Sequence, residues 1–132
     1  MIGALLRMPH EAVMSRMLTA LEDAGFDLSP TELRAFLYPG PEGRRPAELA
    51  RQCGMSRQAM NYVLAGLEQR RYIEPRTTSS HVVRLTPRGR QLVPTIRRCV
   101  ATIEREWASH LGARRFQALK DTLTELSTWL GG

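Results

Sequence analysis

The stretch that decides the fold runs Met55-Ser56-Arg57-Gln58-Ala59-Met60-Asn61-Tyr62-Val63-Leu64-Ala65-Gly66-Leu67-Glu68. Met60, Val63, Leu64 and Leu67 recur at three- and four-residue spacing, the signature of a helix that buries one side. Ser56 is placed to cap it, because a serine oxygen accepts an orphan N–H of the first turn. Arg57, Gln58, Asn61, Tyr62 and Ala65 fall on the other side. Just upstream, Pro46 opens a short helix with Ala47, Leu49 and Ala50 as its apolar contacts, and Gly54 ends it. Two helices joined by a three- or four-residue turn containing glycine make a helix-turn-helix.

Downstream, Tyr72-Ile73-Glu74 reads as a short strand halted by Pro75, Thr77-Thr78-Ser79-Ser80 is turn chemistry, and His81-Val82-Val83-Arg84-Leu85 alternates like a second strand. A hairpin directly after such a helix is a wing. Thr86-Pro87 then pairs a cap with a helix-opening proline and starts a long helix. That helix carries Leu92, Ile96, Cys99, Val100, Ile103 and Trp107 on one face, with a kink expected at Pro94. Gly112 breaks the chain. A last helix over about 113–130 presents Phe116, Leu119, Leu123, Leu126 and Leu130, a narrow seam of coiled-coil type. Upstream, Met14, Met17, Leu18 and Leu21 predict a first helix from about Pro9 to Ala24, stopped by Gly25. Ser29-Pro30 starts a second helix, which runs to about Leu37. Residues 39–43 form a loop.

The expected fold is mainly α with a small β-hairpin wing. In a single domain spanning 1–132, a winged helix-turn-helix DNA-binding region (29–86) lies between an N-terminal dimerisation helix (1–28) and C-terminal dimerisation helices (87–132). So small a domain has little core left to cover the terminal stripes, so a second copy is expected to bury them as a homodimer.

Hydrophobic residues make up 42% of the 132, enough for a core and too many for disorder. The net charge of +6 rests on 18 arginines and one lysine, Lys120. Such a balance points to a polyanion, usually nucleic acid and less often a membrane surface. The arginine bias suits bidentate contacts to phosphate and guanine, and is equally what a GC-rich genome writes. No apolar run is long enough to cross a bilayer. Cys53 and Cys99 sit in no metal-ligand spacing and no secretory signal precedes them, which implies a reduced, cytoplasmic protein with both thiols in the core. A constitutive winged-helix DNA- or protein-binding module without effector control, or a cysteine redox sensor on the same fold, is an alternative. There is no paired-carboxylate motif, nucleophile elbow, phosphate loop or metal cluster, so no enzyme activity, cofactor or metal is expected.

Against double-stranded DNA, the chemistry assigns Arg57 to guanine O6 and N7, Gln58 and Asn61 to adenine, and Tyr62 to a phosphate or a thymine methyl. Arg45, Ser56, Arg76, Arg84 and Arg88 are the backbone candidates, with Arg51 beside them. Arg88 stands out because a cation in the first helical turn opposes the helix dipole, so a local structural motive is weak there. His10 is a candidate for an effector pocket, although a surface or capping role is the simpler reading. Trp107 and Trp129 read as dimer-core residues.

Arg45-Pro46-Ala47-Glu48-Leu49-Ala50, Met55-Ser56-Arg57-Gln58-Ala59-Met60, Leu67-Glu68 with Tyr72-Ile73-Glu74, and Val83-Arg84-Leu85-Thr86-Pro87-Arg88-Gly89 resemble the multiple-antibiotic-resistance regulator (MarR) family of bacterial transcription factors. The resemblance covers nearly the whole chain. It implies a homodimeric repressor on a pseudo-palindromic operator, released when a small, often aromatic, effector binds between the DNA-binding and dimerisation regions. One departure concerns the wing. Family wings carry an acidic-Arg-Arg cluster at the tip, whereas Thr77-Thr78-Ser79-Ser80 is uncharged and flanked only by Arg76 and Arg84. The implied wing touches phosphates without reading the minor groove.

Overall fold

A computed structural model describes residues 1–37, 39–76 and 81–131. The expected wing tip at 77–80 therefore lies outside the described residues. The helices are α1 (Ile2–Asp23), α2 (Pro30–Phe36), α3 (Pro46–Cys53), α4 (Arg57–Gln69), α5 (Pro87–Arg90), α6 (Leu92–Leu111) and α7 (Ala113–Gly131). The chain divides into two compact units, Met1–Arg97 and Arg98–Gly132.

In the first unit, α1 contributes Met14, Met17 and Leu21 to the core, α2 Leu33, Ala35 and Phe36, and α3 Leu49 and Ala50. From α4 come Met60, Val63, Leu64 and Leu67, all four of the stripe read from the sequence. The caps follow local chemistry. Ser29 Oγ accepts the Glu32 N–H at 3.1 Å while Glu32 Oε1 accepts the Ser29 N–H at 2.8 Å, a reciprocal capping box. Ser56 Oγ accepts from Ala59 N–H at 3.0 Å. Between α3 and α4, Gly54 takes φ 64° and lets Met55 N–H return to the Ala50 carbonyl at 2.8 Å.

Glu32 is buried, and its carboxylate pairs with the Arg70 guanidinium. Arg70 also donates to the Gly66 carbonyl at 3.3 Å and the Asp27 carbonyl at 2.7 Å. The C-terminal end of α4 is thereby fastened to the segment that leads into α2. Arg34 likewise donates to the Cys53 carbonyl, joining α2 to the end of α3.

Among the described residues the hairpin is one antiparallel bridge, Ile73 with Leu85, flanked by Glu74 N–H to the Arg84 carbonyl (2.8 Å) and Thr86 N–H to the Tyr72 carbonyl (3.1 Å). The other edge of this segment is also occupied, as the sequence reading did not foresee. Gly43 N–H donates to the Val83 carbonyl and Val83 N–H to the Arg44 carbonyl, both at 2.8 Å. Leu85 N–H donates to Glu42 Oε2 at 2.6 Å.

Two expected helix boundaries are corrected. α1 begins at Ile2, with Pro9 inside it. Proline removes one N–H and so one ladder bond, which this fully exposed turn can leave to water. The long helix after Thr86 is interrupted within the turn before Pro94, where a proline ring crowds the carbonyl four residues back. It breaks at Gln91, and Pro94 becomes the third residue of α6, where its missing N–H would have had no partner in the helix. In the second unit Ile103 and Phe116 are buried, and Lys120 pairs with Glu104 at 2.8 Å and lies 5.2 Å from the Phe116 ring centre. Among the described residues no helix is long and apolar enough to cross a membrane.

The joint between the bridge and α5 explains the run from Leu85 to Gly89. Thr86 Oγ1 accepts from Gly89 N–H at 3.0 Å and donates to the Arg71 carbonyl at 2.5 Å. A Cβ on Gly89 would stand 1.9 Å from the Tyr72 carbonyl oxygen, so backbone meets backbone with no room for a side chain. Gly89→Ala is therefore expected to lower stability by roughly 1–3 kcal/mol, since overpacking forces the backbone apart. Thermal denaturation checks this, and an unchanged melting temperature would refute the close approach.

Candidate nucleic-acid interface

Opposite its buried stripe, α4 exposes Gln58, Tyr62, Ala65 and Gln69, four residues at helical spacing along one line. Tyr62 is 84% exposed, although a phenol ring buries readily when given a surface. Arg57 and Gln58 are exposed in the first turn, beside Ser56. The Ser56 oxygen is used as a cap, which leaves its hydroxyl proton free to donate to an acceptor outside. These side chains together offer a planar cation, an amide, a phenol and a hydroxyl on one convex edge.

Asn61 is placed differently from the sequence reading. It borders the buried stripe, is half-buried, and its Oδ1 is enclosed without a hydrogen-bond partner among the described residues. It does not share the open line of Gln58 and Tyr62, so contact with a base edge needs its side chain to rotate outward.

The structure sorts the backbone candidates by what their guanidinium groups already hold. Arg45 is exposed, and among the described residues its bonds are made by its backbone, N–H to Glu48 Oε1 at 3.3 Å and carbonyl from Leu49 N–H at 3.1 Å. Arg51 and Arg57 are exposed, and no carboxylate among the described residues pairs with either. Arg84 stays half-open, 3.9 Å from Glu42. Arg76 is turned inward, its side chain only 10% exposed and 3.7 Å from Glu68, with Nε and Nη1 enclosed without a hydrogen-bond partner among the described residues.

Arg88 corrects the expectation that it lacks a local structural motive. Its guanidinium lies 4.7 Å from the Tyr72 ring centre and 5.9 Å from that of Phe26, donates to Tyr72 Oη at 3.1 Å and sits 3.8 Å from Asp27. The unfavourable dipole is offset by two aromatic faces and a carboxylate, none of them adjacent in sequence. Asp27, Tyr72 and Arg70 were missed as a group for the same reason. Tyr72 Oη donates to Asp27 Oδ1 at 2.8 Å and accepts from Asp27 N–H at 3.1 Å. The Tyr72 hydrogen bond, helped by Arg70 and Arg88, holds the Asp27 carboxyl below its ordinary value.

A groove of about 1470 Å³ runs between the end of α1, the start of α2 and the outer side of α4. Leu18, Phe26 and Leu28 give it apolar wall, and Gln58 and Tyr62 form its α4 rim. His10 lines a smaller cavity of about 440 Å³ with Arg34, Gln52 and Cys53. Burial pushes the Cys53 thiol up, which favours its protonated form. Cys99 is half-buried. Trp107 is half-buried and Trp129 is exposed. Among the described residues no cluster of His, Cys, Asp or Glu is arranged to hold a metal ion.

Helix-turn-helix, bridge and capped α5 together define a winged helix-turn-helix protein. Residues 26–81 match the model of the MarR family. Among solved structures the chain is similar to the MarR family protein Rv2887 of Mycobacterium tuberculosis in complex with DNA, at 27% identity over 96% of this chain and 97% of that one, with a TM-score of 0.67. The same protein in complex with p-aminosalicylic acid matches at 29% identity over 96% and 98%, TM-score 0.66. The transcriptional repressor CouR matches at 27% identity over 97% and 93%, TM-score 0.71. No curated protein sequence matches the chain.

The depressed Asp27 carboxyl carries a pH signature. A carboxyl whose pKa is lower folded than unfolded contributes stability above its unfolded value, near pH 4, and loses it as pH falls through the folded value. Tyr72→Phe removes the largest cause of the shift. The urea midpoint of the variant is expected to fall less steeply below about pH 4 than that of the wild type, and to be lower at neutral pH by about 1 kcal/mol of stability. Parallel curves across that range would remove the Tyr72–Asp27 hydrogen bond as the cause.

Proposed function

We propose that this chain is a sequence-specific double-stranded DNA-binding transcriptional regulator, a repressor, that holds a pseudo-palindromic operator as a homodimer. The observation that carries the reading is the exposed line of Gln58, Tyr62, Ala65 and Gln69 on a helix whose other side is wholly buried. A helix so presented fits the major groove, where base edges carry a distinguishable pattern of donors and acceptors. Arg57 and Gln58 read bases from the N-terminal end, where recognition helices make contact. Asn61 and Tyr62 follow one turn further on. Ser56, Arg45 and Arg84 take phosphates, with Arg76 secondary because its group is turned inward and Arg88 because its group is already engaged. The similarity to Rv2887 in complex with DNA supports the choice of partner.

Dimerisation is supported by apolar side chains left in the open at both ends of the chain. Ile2, Leu5, Leu6 and Met8 are exposed at the start of α1, and Leu119, Leu123, Leu126, Trp129 and Leu130 along α7. In the proposed dimer each operator half-site receives one α4 helix in its major groove, with half-sites about one DNA turn apart.

Effector release is the finer part of the proposal. The groove beside α4 shares Gln58 and Tyr62 with the base-reading line, so an occupant and DNA compete for the same side chains. A small aromatic acid suits the mixed wall, and Rv2887 in complex with p-aminosalicylic acid supports that class. Release requires the ligand to bind the DNA-free state more tightly.

Selection of bound sequences from a random duplex pool tests the reading. Enrichment of an inverted repeat is expected, and a pool that stays random rejects it. On the selected site, Arg57→Ala is expected to weaken binding by roughly 1–3 kcal/mol and to relax the preference at one base position. An unchanged binding curve would remove Arg57 from the reading set.

A further inference from the structure

Arg71, the second residue after α4, has φ 66° and is the single non-glycine residue in the left-handed region among the described residues. Its N–H donates to the Glu68 carbonyl at 3.0 Å, and the next N–H, of Tyr72, to the Leu67 carbonyl at 2.9 Å. This double closure of a helix usually places glycine where Arg71 stands, because a Cβ is strained there. The remaining contact made by Arg71, from Thr86 Oγ1, goes to its backbone carbonyl, which a glycine would supply equally. The side chain is exposed, and no carboxylate among the described residues pairs with it. The fold therefore carries a strained residue whose exposed side chain makes no hydrogen bond or ion pair among the described residues.

Outside the protein its position is specific. Arg71 lines an open groove of about 540 Å³ with Ala65 and Gln69 from the exposed line of α4, with Glu68, whose carboxylate lies 3.7 Å from Arg76, and with Ile73 and Pro75 from the base of the wing. At 1.5 Å of rise per residue, it lies about 20 Å beyond Arg57 along the α4 axis, too far to share a base pair with it. Of the other cations that follow α4, Arg76 is turned inward with its side chain only 10% exposed, and Arg88 is engaged with Tyr72 and Asp27.

We propose that Arg71 binds a DNA phosphate where the backbone passes between the C-terminal end of α4 and the base of the wing. The proposal rests on the DNA-binding reading above and adds a contact to it. The strained backbone aims a guanidinium that would otherwise be the absent side chain of a glycine.

The test uses the whole chain and the duplex that the wild type selects from a random pool. Arg71→Gly and Arg71→Lys are compared with wild type by thermal denaturation and by titration between about 50 and 200 mM salt. Arg71→Gly is expected to melt higher, because the strain is relieved, yet to bind roughly tenfold more weakly. The slope of log affinity against log salt should become shallower by about 1. Arg71→Lys keeps the charge and should keep both the affinity and the slope. If Arg71→Gly binds with wild-type affinity and slope, the proposal is overturned while the DNA-binding reading stands. Equal weakening in the lysine and glycine variants also overturns it, since a phosphate accepts either cation. If the wild type selects no sequence and binds no duplex, the DNA-binding reading falls first and this contact with it.

Discussion

The hydroxyl of Tyr72 has one proton and two lone pairs, and all three are used inside the protein. It donates to Asp27 Oδ1 and accepts from Asp27 N–H and Arg88 Nη2. The backbone of the same residue is equally committed. Its N–H closes α4 on the Leu67 carbonyl, and its carbonyl takes Thr86 N–H and lies against Gly89. One residue thus fixes where α4 ends, where α5 begins and how the segment before α2 lies across both. The buried phenol has no water to fall back on, so moving any partner leaves a polar atom unsatisfied at a cost of about 1–3 kcal/mol. With the Arg70–Glu32 pair beside it, this junction sets the attitude of α4, and so the direction in which Gln58 and Tyr62 face.

Arginine does two different jobs in this chain, and the net charge conceals the division. Arg34, Arg70 and Arg90 donate to backbone carbonyls at the ends of helices and loops, and Arg88 lies over Tyr72 and Phe26. A guanidinium suits such places because its fork offers several donors in one plane and stacks on rings, which an ammonium does not. Arg45, Arg51, Arg57 and Arg71 keep their groups in the open. The positive field that a polyanion would meet is set by the second group far more than by the total of +6.

Signals confined to a few residues were legible in advance. Ser29-Pro30, Ser56 and Thr86-Pro87 cap their helices through bonds to the residue three positions on, and the Met60, Val63, Leu64 and Leu67 stripe follows from spacing alone. What escaped depends on partners far away in sequence. Arg88 looked free because Asp27 and Phe26 stand some sixty residues before it. The backbone pairing of Gly43 and Arg44 with Val83 was hidden in a stretch that reads as loop. Asn61 and Tyr62 are neighbours in sequence with similar polarity, yet only the packing around α4 encloses one and exposes the other. Pro9 and Pro94 sit differently in their helices. An exposed helix tolerates one lost bond, and a helix start loses none.

The left-handed turn at Arg71 is where these constraints meet. The chain must reverse sharply after Arg70, because Tyr72 N–H has to reach the Leu67 carbonyl while its ring points into the core. A right-handed residue at position 71 would carry the helix onward and take the phenol away from Asp27. The positive φ is therefore imposed by the junction and cannot relax without undoing it. Only the choice of side chain is left open, and by local energy alone glycine would fill it. Arginine there makes sense as a group placed for a partner outside the fold, on the same side of the molecule as the exposed line of α4.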